Sequence, residues 1–152
     1  MGRPQNITPK SLAGYLEVMS KAVFQTGISW RVVDVKWPGI KEAFRGFKPE
    51  VISRFTVTDI DKMVQDKRVI RNRRKIEAIV ANARRLLELD GQYGSFKKYL
   101  RSFNSFEELT RDLHKNFKYL GEMGSYYFLW VVGEKIPSWE EFSAAHGLVG
   151  KM

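Results

Sequence analysis

The stretch "VQDKRVIRNRRKIEAIVANAR", Val64–Arg84, decides the fold class. Within it and just beyond, Ile76, Ile79, Val80, Ala83, Leu86 and Leu87 recur at the spacing that lines one face of an α-helix. The spacing predicts a helix from Asn72 to about Leu89, the longest element of the chain, broken by Gly91 and Gly94. The same stretch opens with Lys67, Arg68, Arg71, Arg73, Arg74 and Lys75. Cations at a helix N-terminus oppose the macrodipole by roughly a few tenths of a kcal/mol each. Helix propensity therefore does not explain their position, and a phosphate-bearing partner would offset the cost. The alternative is a solvated face on which lysine and arginine stems cover apolar surface.

Outward from this helix the pattern stays helical. Leu12, Tyr15, Leu16, Met19 and Val23 form an earlier amphipathic helix, with Thr8 and Pro9 as start signals and Gly27 as its end. Ser29 is placed to cap a second helix, which the Trp37–Pro38 step should bend or restart. "KPEVISRF" and "TVTDIDKMV" read as two short helices, with Pro49 in a first turn and Thr58 at a cap. Further helices are expected at Phe96–Phe103, Ser105–Asn116, Ser125–Val132 and Trp139–Ala145. No pair of strands with a hairpin turn stands out. The expected fold is all-α, a compact helical domain spanning residues 1–152.

The bulk composition narrows the function classes. The chain has 152 residues, 43% of them hydrophobic, which suffices for one domain with its own core. There is no cysteine, so disulfides and thiolate-bound metals are excluded. Two histidines, His114 and His146, make a structural metal site improbable, and no metal or cofactor is expected. No apolar run approaches the roughly 18 residues of a membrane span, and the first residues lack a signal-peptide core. A cytoplasmic location is expected, on the nucleoid in a prokaryote. Lys and Arg number 26 against 17 Asp and Glu, a net charge of +9. That balance favours a polyanionic partner, most often nucleic acid.

Two further stretches carry chemistry. In "FKYLGEMGSYYFLWVVG", Phe117–Gly133, an amphipathic helix runs into a turn holding Gly121 and Gly124, and an apolar helix follows. Glycines allow positive φ and expose amide N–H groups, which at a helix start can hold one phosphate. Such a helix-hairpin-helix grips DNA by its backbone and reads no sequence. In "QTGISW", Gln25–Trp30, a glycine and a tryptophan sit at the seam between two helices.

Together, "QTGISW" at 25–30, the block at 64–84 and "FKYLG" at 117–121 resemble the DNA-3-methyladenine glycosylase I family of helix-hairpin-helix enzymes. The resemblance covers about Ser11 to Gly133. It implies excision of 3-methyladenine from double-stranded DNA by a monomer, with the target base flipped into an aromatic pocket. It implies that Trp30 stacks on the base, with Tyr126 a second candidate in the pocket. Gln25, Gly27 and Ile28 correspond to the turn that fills the gap in the duplex. Gly121 and Gly124, with Lys118 beside them, correspond to the phosphate-gripping hairpin. Arg71, Arg73, Arg74 and Lys75 are expected to add DNA contacts.

The chain also departs from the family. Ala22 occupies the position of the glutamate that contacts the base, and Glu17 lies five residues away in the same helix. Glu140 and Glu141 are weaker acidic candidates in the region where related enzymes place an aspartate. The two-cysteine, two-histidine zinc site of the family cannot be built, and its N-terminal pocket aromatics are missing or replaced. The alternatives to an enzyme are a DNA- or lesion-binding module on the same fold, and a helical RNA- or protein-binding domain.

Overall fold

The computed structural model describes residues 6–147, and among them every regular element is helical. The order is α1 (Leu12–Gln25), α2 (Trp30–Ala43), a 3-10 turn (Arg45–Phe47), α3 (Pro49–Ile52), α4 (Val57–Gln65), α5 (Arg73–Tyr93), α6 (Phe96–Leu100), α7 (Phe106–Asn116), α8 (Glu122–Val131) and α9 (Trp139–Ala145). No helix among the described residues is long and apolar enough to cross a membrane.

The caps explain where most helices begin. Asn72, Ser95, Ser105 and Ser138 each accept a hydrogen bond from the amide three residues on, and α5, α6, α7 and α9 follow them. Thr56, not Thr58, caps α4, in a reciprocal capping box with Asp59. That box holds the Asp59 carboxyl below the usual carboxylate range, chiefly through the Thr56 amide.

Three expected boundaries move for physical reasons. α1 begins at Leu12 rather than near Pro9, because Pro9 lies against Gly14 in its first turn; a β-carbon on Gly14 would sit 3.1 Å from the proline ring. α2 runs through Pro38 without restarting. Trp37 and Ile40 are buried on either side of it, while Pro38, exposed, turns its missing donor to solvent. α5 passes through Gly91 to Tyr93 and stops only at Gly94, whose φ of 86° suits glycine. Tyr93 meets Tyr99 edge-on at 5.2 Å, and the Asp90 carboxylate accepts the Phe96 amide, so the last turn of α5 is held against α6.

α5 is the spine of the fold. It packs on α1, α3, α4 and α6, and its apolar stripe, from Ile76 to Leu89, is buried. α1 packs on its other side against α8, and α7 packs on α8. A separate small cluster joins Tyr126 of α8 to Trp139 and Phe142 of α9. The Ile7 amide donates to the Val131 carbonyl at 2.6 Å, which ties the N-terminal segment to the end of α8. Among the described residues no group of histidine and acidic side chains is arranged to hold a metal ion.

One side chain of α5 positions the α7–α8 turn. Asn82, 1% exposed, accepts the Lys118 N–H at 2.8 Å and donates to the Lys118 carbonyl at 3.1 Å. Tyr119, the next residue, adopts a left-handed φ of 61°. Such a conformation costs a non-glycine residue about 1–2 kcal/mol, and the clamp beside it offsets that strain. Asn82→Ala should lower stability by about 2 kcal/mol, roughly 4–8 °C in Tm. In hydrogen-exchange measurements its Lys118 amide should lose protection before the core of α5 does.

Candidate active site

α1 ends at Gln25, and Gly27 takes a φ of 77° that lets the chain reverse within a few residues into α2. Trp30 is therefore the first residue of α2, seated over the end of α1. Its ring meets Tyr127 of α8 edge-on, with centroids 5.2 Å apart. Ala22, Gln25, Thr26, Trp30, Met123, Gly124 and Tyr127 enclose a cavity of about 90 Å³ between the α1–α2 turn and the first turns of α8.

The turn is held from below. Lys75, 5% exposed, donates through Nζ to the carbonyls of Phe24, at 3.1 Å, and Thr26. Burial pulls the Lys75 ammonium down from its usual pKa, while the two carbonyls and the negative end of α1 act in the opposite sense. A charged cap of this kind fixes the last turn of α1, and with it Gln25 and the approach to Trp30.

Across the cavity, Gly121 caps α8 without a side chain, and Glu122, Met123 and Gly124 form the first turn. In the hairpin the left-handed residue is Tyr119 (61°); Gly121 has φ −77°, and Gly124 is helical. The expectation that the glycines supply the positive φ is thus corrected. Their contribution is room: a β-carbon on Gly121 would meet nothing, and Gly124 lines the cavity. Lys118 and Tyr119 are exposed beside the turn. Glu122 faces His146 of the α9 end at 3.4 Å.

The sequence model of the methyladenine glycosylase family matches residues 10–125. The chain belongs to this family. It is 36% identical over 89 residues to the DNA-3-methyladenine glycosylase of Haemophilus influenzae, which covers 59% of this chain and 48% of that protein. It is 34% identical over 79 residues to DNA-3-methyladenine glycosylase 1 of Escherichia coli K12, covering 52% and 42%. The chain thus spans about half the length of the curated relatives it matches. The 3-methyladenine DNA glycosylase I of Staphylococcus aureus superposes with a TM-score of 0.76 at 26% identity, over 85% of this chain and 80% of that one.

Against the expectations for a methyladenine glycosylase, Trp30 and Ala22 meet in one cavity, but several other residues stand elsewhere. Gln25 is 7% exposed and lines the cavity, so it does not project as a wedge; Gly27 is exposed at the tip, and Ile28 is half-buried against the core. Tyr126 points away from the cavity: it is 1% exposed, donates to the Pro137 carbonyl at 3.0 Å and lies 4.3 Å from the Phe142 ring. Tyr127 takes its place, because one residue on a helix turns the side chain by roughly 100°.

Glu17 is committed to the fold, accepting the Trp37 indole N–H at 2.9 Å and pairing with Lys41 at 3.1 Å. Glu140 and Glu141 are exposed in the first turn of α9; Glu141 faces a different, larger cleft that holds His114 and His146. Among the described residues no carboxylate lines the Trp30 cavity.

The basic cluster divides. Lys75 is buried under the turn and is not exposed as a contact residue. Arg73 pairs with Asp61 at 2.7 Å and Glu77 at 3.5 Å, and Arg68 pairs with Asp66 and Glu42. Arg71 and Arg74 remain exposed. Sequence reading missed Asn82, since a buried asparagine clamp carries no local signal; it weighed Tyr126 and Tyr127 together and chose Tyr126, because helical phase from Trp130 and Phe128 alone does not separate the two.

Arg71→Ala and Arg74→Ala should each reduce the slope of log affinity against log salt for duplex DNA by about 1. Lys75→Met should leave that slope unchanged and instead lower stability by about 2–3 kcal/mol, because one buried and one partly buried carbonyl lose their donor. Titrations at several salt concentrations, with thermal melts of the same variants, distinguish the two roles.

Proposed function

We propose that this protein is a DNA glycosylase that excises alkylated purines, 3-methyladenine first among them, from double-stranded DNA. The observation that carries this reading is the Trp30–Tyr127 cavity, set between a reversing turn and the glycine start of α8. In this reading one domain, residues 1–152, acts as a monomer in the cytoplasm, on the nucleoid in a prokaryote. Gly27 and Ile28 enter the space a flipped nucleotide leaves, which compensates for unstacking of roughly a few kcal/mol per step. Gly121, Gly124 and Lys118 hold a backbone phosphate at the hairpin, and Arg71 and Arg74 add charge.

The chemistry needs no strong general acid in the pocket. A purine alkylated on a ring nitrogen is cationic while attached to the sugar. When the C1′–N bond breaks, its electron pair neutralises the base, which departs as a neutral molecule. Water then bonds to the sugar carbon and gives up a proton to solvent. The indole face of Trp30 stabilises the cationic base, by about 1–2 kcal/mol when desolvated. Positioning supplies the rest. The cavity, open on one side, is well below the roughly 300 Å³ at which ligand pockets begin. Met123, unbranched and 37% exposed at the rim, is the side chain that swings aside to admit the base.

Among the described residues no lysine lines the cavity, and Lys75 below it is spent on the turn, so no strand cleavage is expected. Methylated duplex DNA incubated with the protein should release 3-methyladenine, and Trp30→Ala should slow release at least about tenfold under conditions where thermal melts show the variant folded. Release no faster than in a protein-free control, with DNA binding intact, would instead make this a lesion-binding module.

A further inference from the structure

The cleft that holds His114 and His146 contains a contact that only one charge state of histidine can make. His146 closes the C-terminal end of α9, and its side chain is 28% exposed. Its Nδ1 lies 2.8 Å from the Phe142 carbonyl, and its ring stacks on the Phe142 ring at 4.2 Å. Its Nε2 faces the Glu122 carboxylate at 3.4 Å. A carbonyl can only accept, so the proton of the neutral imidazole belongs on Nδ1, and Nε2 is then an acceptor set against a carboxylate oxygen. Protonated on both nitrogens, the ring donates to both partners at once. Neutral, it donates to the carbonyl alone.

Packing brings the two residues together. Tyr126 of α8 lies 4.3 Å from the Phe142 ring and 5.7 Å from Trp139, so α9 is fixed on α8 one turn before His146. Glu122 stands where the charge state matters. It is the first residue of α8, and Gly121 before it supplies no side chain to the first amides of the helix. Those amides and the positive end of the helix dipole attract an anion, and the Glu122 carboxylate competes there with any phosphate.

We propose that His146 clears the start of α8 for a DNA phosphate: as the imidazolium it draws the Glu122 carboxylate to the α9 side, and the hairpin then grips DNA more tightly. The inference rests on the reading of the hairpin as a phosphate clasp. His146 is a positioning residue in this role, since it acts through Glu122. The gain is present while the ring is protonated and is lost as pH rises through its titration. Among the described residues the other charged or titratable groups around the cleft are Glu107, Arg111 and His114 of α7 and Glu141 of α9. Of these only His114 is of a type that changes charge between about pH 5 and 8. Its Nδ1 faces the Leu120 carbonyl at 3.4 Å rather than Glu122. The chain has these two histidines only, so replacing each in turn divides the pH dependence between them.

The test is a double-mutant cycle, read by titrating an unmodified DNA duplex into the full chain at about pH 5.5 and about pH 8. His146→Phe keeps the stack on Phe142 and cannot donate; Glu122→Gln keeps the length and removes the charge. At the lower pH His146→Phe should weaken binding by about two- to fivefold, but by less than about twofold in the Glu122→Gln background. At the higher pH it should change binding by less than about twofold in either background. His114→Phe should leave this pattern in place. In nitrogen-15 spectra of the free protein at the higher pH, His146 should carry its proton on Nδ1, and thermal melts should show every variant folded. A ring protonated on Nε2, an equal loss from His146→Phe in both backgrounds, or a pattern that disappears with His114→Phe would overturn the proposal. If the ring is protonated on Nδ1 and its signals respond to Glu122→Gln, yet no variant changes DNA affinity at either pH, the phosphate-clasp reading fails and the proposal falls with it.

Discussion

Two polar side chains on one buried helix hold the functional surface together. Lys75 reaches from α5 to the last carbonyls of α1, and Asn82, two turns further along, grips both backbone groups of Lys118. The first fixes the turn that leads to Trp30, and the second fixes the hairpin that leads to α8. Each satisfies backbone groups at the edge of the core, so each is costly to remove. Because both stand on the same rigid element, the distance between turn and hairpin is set by α5 itself. A flipped base and the phosphate beside it demand such a fixed distance.

The pocket between these two supports has an unusual electrostatic character for a site proposed to take a cationic base. Its walls are aromatic, aliphatic and amide, and no carboxylate lines it. Glu17 serves the Trp37 indole and Lys41, and Glu141 belongs to another cleft. What such a pocket would offer a cationic purine is the π-face of an indole. This division suits bases whose bond to the sugar is already weak, because the protein is then required to select and position rather than to protonate.

The sequence made the fold class and most helices legible, since burial of one face leaves a period that can be read directly. The stripe from Ile76 to Leu87 and the Ser, Thr and Asn caps are of this kind. Gly91 misled because a glycine inside a helix weakens it by only about 1 kcal/mol, and packing against α6 outweighs that. The family motifs located the cavity through Trp30 and Ala22. They did not reveal which way Gln25, Tyr126 and Lys75 point, because a charged or polar residue near a functional loop looks alike whether it faces ligand or supports the loop from beneath. Lys75 supports the loop, Gln25 faces the cavity wall, and Tyr126 joins the α9 cluster. Such distinctions depend on tertiary burial, which leaves no periodic trace in the chain.

The most direct measurement is a crystal structure of the protein with an abasic-site DNA duplex and free 3-methyladenine. The base should lie against Trp30, a phosphate should rest on the amides that follow Gly121, and the Lys75 and Asn82 hydrogen bonds should be unchanged from the free protein. A base bound in the cleft of His114 and His146, or DNA bound with the α1–α2 turn and the hairpin displaced from α5, would contradict the fixed two-support site.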